Sequence, residues 1–414
     1  MIAPRAPRYH CLDAWRGVAC LMVAALHSCH YLRSRTPFDS SEVHTWFIAA
    51  VGSFWIGVPL FFVISGYCIM AAADNLRRRP EMSVREYFRR RIRRIFPPYW
   101  WSMAMLLVVI VISEVWLKSG IFWDAFIPYP DPSDYSLVGW LHNLALTAPF
   151  VGERFFVGVA WTLAYEEQFY IVMGLCLIFA RRRLGLAITI VTALVLVLMQ
   201  VGPLMGIGLG KFFFNGYWLA FAAGTLVYGQ SNYGSKTTAP IALGLLITGA
   251  AYGIVLAQPA SLIDFARQMI HSAETKIALT TFVGCAFAVV LMLLKPYDAR
   301  LKQTWVLRPL MWTGTMCYSI YLSHRLVVEL ISHGFDRAGV THPWVVLGVV
   351  VPLCLAASIA VGWMFFMLVE RRFLNTPPAS RTTADEPETT ATTGSPLHGA
   401  ALIDAPSPAP AGVR

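Results

Sequence analysis

The chain has 414 residues, 57% of them hydrophobic and only 14% charged, with a mean hydropathy of +0.57 and a formal net charge of +10. Soluble domains carry about one quarter charged residues, so this composition excludes an ordinary soluble protein and marks a polytopic membrane protein. The basic excess is spread along the loops between apolar runs, which points to a membrane face and not to nucleic acid.

Apolar runs of spanning length fall at 12–32, 47–72, 97–117, 157–180, 184–201, 213–229, 239–256, 276–294, 309–330 and 343–368. A bilayer core needs about 20 helical residues, so the expectation is an all-α protein of about ten transmembrane helices around a central pore or cavity. Taking the N-terminus as cytoplasmic puts 21 Lys and Arg on the inner side and 8 on the outer, the asymmetry of the positive-inside rule. Both termini are then cytoplasmic. Asp13 and Arg16 interrupt the first run and no small-residue cleavage site follows, so it does not read as a cleavable signal. The longest outer connection, about 118–156, is rich in Pro and aromatics; its apolar patch at 137–146 is too short to span and would lie in the interface or re-enter the membrane. It would either cover a site or serve as a plain connector. After residue 375 the composition shifts to Pro, Ala, Thr and Ser. Residues 1–375 are therefore expected to form the membrane domain and 376–414 a disordered cytoplasmic tail. The eight cysteines lie mostly in apolar runs without a CxxC pair, which suggests small core residues and no metal site.

Several polar groups stand inside these spans. Arg16 and His27 are eleven residues apart, which at ~100° per residue returns them to within roughly 20° of one face, about 16 Å apart along the axis. Such residues usually face a protein interior or a wet cavity; a snorkelling or ion-paired Arg16 and a hydrogen-bonded core His27 would be the plain alternative. The second run ends in FFVISGY, where Ser65 offers a hydroxyl near the inner face and Gly66 allows close approach. Nine arginines follow between 77 and 94, including Arg91 and Arg94. Some anchor the inner face, yet nine exceed that need, and arginine forks bind phosphate in bidentate fashion. The fourth run carries Glu166 and Glu167; Thr162, Glu166 and Tyr170 form an i, i+4, i+8 stripe that favours Glu166 as the inward carboxylate. The ninth carries Tyr318, Tyr321, His324 and Arg325. Counted from the inner ends of their helices, His27 and His324 each lie about fifteen residues deep, with Glu166 within about one turn of that level. The three are expected to meet across one cavity.

Taken in order, R-x10-H at Arg16 and His27, FFxxSG at 61–66, RxxR at Arg91 and Arg94, WTLxxExQFY at 161–170, GxxxYSIYLxH at 314–324 and ERRF at 370–373 resemble the acyltransferase-3 family of membrane O-acyltransferases. The resemblance runs from about residue 11 to 373, with Thr162 where Ser is common and Ser323 where Trp is common before the last His. It implies transfer of an acyl group, most often acetyl from cytoplasmic acetyl-CoA or another acyl-CoA, to a carbohydrate hydroxyl at the cell surface or on a lipid-linked saccharide. No metal is implied, and the place is the cytoplasmic membrane. Members fused to an SGNH esterase-like domain are not expected here, because the tail is too short to hold one.

Joined to the residue reading, Arg91 and Arg94 would hold the donor phosphates, with Ser65 near the inner face and Arg16 at the pore entrance. His27 would act as general base, Glu166 would orient it, and His324 or Tyr321 would donate to the oxyanion. No Ser or Cys stands in an activated-nucleophile motif, so direct transfer is favoured over an acyl-enzyme. Three alternatives remain open at this stage: acylation of a secondary metabolite such as a macrolide, a proton-coupled transporter, and a non-enzymatic scaffold.

Overall fold

The computed structural model describes residues 9–29, 39, 41–79, 81–120, 131–206, 216–259 and 276–374; the expected tail lies outside them, in a second unit, Thr376–Arg414. Among the described residues the chain is helical, with no strand. The longer elements are α1 (Leu12–Ser28), α2 (Val43–Gly52), α3 (Gly57–Arg77), α4 (Val84–Ile110), α5 (Leu137–Leu144), α6 (Trp161–Phe179) and α7 (Leu184–Leu204). They are followed by α8 (Gly216–Tyr233), α9 (Ala239–Ala257), α10 (Lys276–Leu294), α11 (Asp298–Gln303), α12 (Leu307–Thr315), α13 (Cys317–Arg337) and α14 (Val351–Leu368).

Each of the ten apolar runs coincides with a helical stretch, but among the described residues only 7 are long and apolar enough to cross a membrane. The exceptions have physical reasons. Helix α1 is described over 17 residues, α8 ends in the polar Gln230–Tyr233, and α13 carries Arg325, Glu329, Asp336 and Arg337. The expected single helix over 309–330 is in fact two, α12 and α13, broken at Met316 (φ −112°, ψ 18°). The break is held from outside. Glu370, in the 3-10 turn after α14, accepts from the Ser319 amide (3.1 Å) and the Ser319 hydroxyl (2.5 Å), which replaces the carbonyls a continuous helix would have offered.

The start of α1 is likewise capped at long range. Cys11 makes no side-chain cap; instead the amides of His10 and Cys11 each donate to the Asp298 carboxylate at 2.9 Å. Tyr9 adds a hydrogen bond to the Leu291 carbonyl at 2.9 Å, so the N-terminal turn is pinned to the end of α10. Close backbone approach then sets the central packing. A methyl on Gly66 would meet the Phe221 carbonyl, and one on Gly224 would meet that of Val63, so α3 and α8 cross through a reciprocal pair of glycines. Gly17 and Gly314 join α1 to α12 in the same manner, against Leu310 and Asp13.

Helices α3 and α6 are central: 56% and 61% of the most apolar windows in their helical runs are buried, against 17% for those of α7 and α9. The last two therefore present their apolar faces to lipid. Helix α5 is the short apolar patch of the long connection. Ser136 caps it by accepting from the Gly139 amide, and the buried Asn143 pins it, accepting from the Phe156 amide (2.8 Å) through Oδ1 and from the Tyr99 hydroxyl (3.0 Å) through its carbonyl. Leu137, Val138 and Leu141 point outward.

Candidate functional site

Helices α1, α3, α4, α6 and α13 line a partly open cavity of about 870 Å³, counting the space it shares with solvent. Phe61, Phe62, Ile69, Ile95 and Leu163 give it apolar walls. Six of the eight site residues expected from the sequence line it: Arg16, Ser65, Arg91, Arg94, Glu166 and Tyr321. They come from five different helices, so their convergence belongs to the tertiary fold.

Arg16 is held by Asp13, one turn before it, at 2.6 Å, and its other terminal nitrogen lies 2.9 Å from the Cys68 sulfur. The ion-paired alternative for Arg16 and the cavity-facing one are therefore both true. Arg91 lies over two phenol rings, 5.2 Å from the Tyr170 centroid and 5.8 Å from that of Tyr87, and its buried Nε has no hydrogen-bond partner among the described residues. The Tyr170 hydroxyl donates to Glu166 at 2.5 Å, which fixes the carboxylate on the arginine side of the cavity. Tyr318 donates to the Ile95 carbonyl (2.8 Å), tying the start of α13 to the helix that carries Arg91 and Arg94.

Neither histidine lines this cavity, so the expected meeting of His27, Glu166 and His324 across one open space takes a different form. His27 and His324 form a pair with ring centroids 5.2 Å apart, and His324 in turn packs against Tyr321 at 5.7 Å. Tyr321 is the side chain common to both groups. It is tethered to the Thr162 hydroxyl at 2.8 Å and packed edge-on against Phe61 at 5.9 Å, so it forms the cavity wall beside the histidines. His324 is buried, and its Nδ1 donates to the Tyr321 carbonyl at 2.8 Å. That bond assigns the proton to Nδ1 and leaves Nε2 as an acceptor, which has no hydrogen-bond partner among the described residues.

Sequence reasoning missed Asp13 as the partner of Arg16 and Glu370 as the cap of α13. The first had a signal in the i, i+3 spacing of opposite charges; the second had none beyond the ERRF motif. Among the described residues no group of three or more His, Cys, Asp or Glu is placed to hold a metal ion.

A helical membrane protein with an arginine-lined cavity beside a histidine pair is thus defined by fold and site. Residues 9–363 match the family model for an acyltransferase domain, and the chain belongs to that family, the acyltransferase-3 family of membrane acyltransferases. It is 25% identical over 346 residues to YrhL of Bacillus subtilis (strain 168), a protein named provisionally as a peptidoglycan O-acetyltransferase; the match covers 80% of this chain and 52% of that one. It is also 31% identical over 134 residues to the peptidoglycan O-acetyltransferase OatA of Listeria monocytogenes, across 31% of this chain and 20% of OatA. The chain thus spans about half the length of YrhL, and a smaller part of OatA is matched. No solved structure matches.

Proposed function

We propose that the chain is a membrane O-acetyltransferase that moves an acetyl group from cytoplasmic acetyl-CoA to a hydroxyl of a cell-envelope carbohydrate, a peptidoglycan-like glycan being the first choice. The observation that carries this reading is the single cavity lined by Arg16, Arg91, Arg94 and Glu166 that ends at Tyr321, beside the His27–His324 pair. The names of the two relatives support the acetyl group and the glycan.

In this reading the arginine-rich end faces the cytoplasm of a cell whose cytoplasmic membrane holds the protein. Arg91 and Arg94 take the donor's phosphates, and the pantetheine arm lies along the apolar walls past Ser65 and Arg16. His27 removes the proton of the acceptor hydroxyl. The hydroxyl oxygen attacks the thioester carbon, the C–S bond breaks, and the proton passes to the departing thiolate, which yields an O-acetyl ester and free CoA. His324, with Nδ1 already donating, has Nε2 free to accept from His27 once that ring turns toward it. Oxyanion donation then falls to Tyr321. Glu166, bonded to Tyr170, would balance the arginines and orient the donor instead of touching His27. For the thioester to reach His27, Tyr321 and Phe61 must turn aside.

The test is the full chain in lipid nanodiscs with radiolabelled acetyl-CoA and peptidoglycan fragments. Glycan-dependent release of free CoA thiol, with label recovered as a base-labile ester, supports the proposal. Thiol release without labelled glycan, or transport of label with no bond cleavage, refutes it.

A further inference from the structure

A second and larger recess lies away from the acyl-transfer cavity, at the arginine-rich end of the bundle. Helices α7 and α9 both pack on α8, and between them opens a groove of about 1520 Å³, counting the space it shares with its surroundings. Its walls are Leu184 and Leu186 on one side, Ile241 and Leu245 on the other, with Leu226 and Met70 beneath. A side chain added at Gly229 would meet nothing within 4 Å, so the slot runs down to the α8 backbone. These helices face lipid, and an apolar slot open to a bilayer is filled by acyl chain.

The rim of the slot is cationic, and the cations differ in how far they are engaged. Arg77 and Arg78 are paired with the buried Asp74 at 2.7 and 3.0 Å. Arg181 donates to the Leu76 and Arg79 carbonyls at 2.7 and 2.8 Å. Arg182 and Arg183 are exposed on the rim, and their guanidinium groups make no hydrogen bond or ion pair among the described residues. They also stand in the first turn of the helical run Arg181–Gly202, whose amino end carries the positive pole of the helix dipole. Two unspent guanidinium groups and a helix start, placed over an apolar slot, are complementary to an anionic headgroup on acyl tails. A soluble nucleotide would satisfy the arginines but leave the leucine and isoleucine walls uncovered.

We propose that this groove binds one anionic phospholipid, its phosphate on Arg182 and Arg183 and its tail between α7 and α9. The site is separate from the acyl-transfer cavity, although both use α3: Ser65, Cys68 and Ile69 face the cavity, and Met70, Asp74 and Arg77 face the groove.

The experiment is native mass spectrometry of the delipidated full chain in neutral detergent, titrated with phosphatidylglycerol or phosphatidylcholine. One tight phosphatidylglycerol adduct is expected, with phosphatidylcholine weaker by about tenfold or more. R182Q/R183Q should weaken phosphatidylglycerol by about the same factor and leave phosphatidylcholine unchanged. Gly229→Leu, which fills the slot while raising helix propensity, should weaken both lipids. R300Q/K302Q, on α11, should change nothing. Equal affinity for the two lipids, or an equal loss in R300Q/K302Q, overturns the proposal. Displacement of phosphatidylglycerol by millimolar inorganic phosphate would assign the arginines to a soluble phosphate and also overturn it.

Discussion

Glu370 offers the sharpest test of how the cavity is held. Its carboxylate is 2% exposed and accepts two hydrogen bonds from Ser319, two residues past the Cys317 and one past the Tyr318 that line the cavity. Glu370→Ala leaves a buried amide and a buried hydroxyl without their acceptor, and each such loss costs about 1–3 kcal/mol. The two together come to about 2–6 kcal/mol, which lowers the free energy for opening the start of α13 and raises exchange at the Ser319 amide by between about 30-fold and about 2 × 10⁴-fold. Glu370→Gln keeps one carbonyl acceptor, loses the charge, and should cost about half as much. Hydrogen exchange followed by mass spectrometry reads this directly on a peptide covering 316–322, with a peptide from the middle of α14 as the internal control. Wild-type exchange at Ser319 in the alanine variant would refute the account. Equal acceleration across both peptides would show global loosening and refute the local one.

Three further outcomes follow from the geometry. His27→Ala should lower acetyl transfer by about 10²- to 10⁴-fold, the usual worth of a general base, and His324→Ala should lower it less; turnover assays on protein with unchanged size-exclusion elution check this, and full activity in His27→Ala removes it from the mechanism. Arg91→Gln should raise KM for acetyl-CoA by about tenfold with kcat little changed, since on the proposed placement it loses a phosphate contact distant from the reacting atoms; a fall confined to kcat contradicts that placement. Burial, then the hydrogen bond to Asp298 and its charge, pushes the Cys11 thiol up to about 12. Because only the thiolate reacts, alkylation of Cys11 should keep rising about tenfold per pH unit to about pH 10, and a plateau near pH 9 would show an ordinary thiol.

Much of the site was legible because it is written within single helices. The eleven-residue spacing of Arg16 and His27, the stripe Thr162, Glu166, Tyr170, and the depth count that put His27 and His324 at one level all need only the helical repeat. The two histidines do lie 5.2 Å apart. What could not be read depends on partners remote in the chain. The break at Met316 is set by a residue 51 positions from Ser319, and the cap of α1 by one 287 positions from Cys11. The place of Tyr321 as the wall between cavity and histidines depends on Thr162 and Phe61, which lie on two other helices. Gly66, quoted as part of a motif near the chemistry, turns out to carry helix packing against α8.

The charges around the cavity explain how it can stand inside a membrane. Three guanidinium groups gathered around one cavity inside a membrane would be costly if unpaired. Here each has an anionic or π-electron neighbour: Arg16 has Asp13 at 2.6 Å, Arg91 the Tyr170 ring whose hydroxyl serves Glu166, and Arg94 the buried charge of Glu370. These arrangements leave donors free, the Nε of Arg91 among them. A polyphosphate entering the cavity therefore does not have to break ion pairs to find nitrogen donors; it adds to a scaffold whose charges are already balanced. The same balance ties the family motifs together physically, because Arg16, Arg94 and Glu166 come from three of them and line one space, while Glu370, from a fourth, acts on Arg94 from behind the wall. A substitution that removes one carboxylate should consequently disturb the arginine opposite it before it disturbs the histidines, which lie beyond Tyr321.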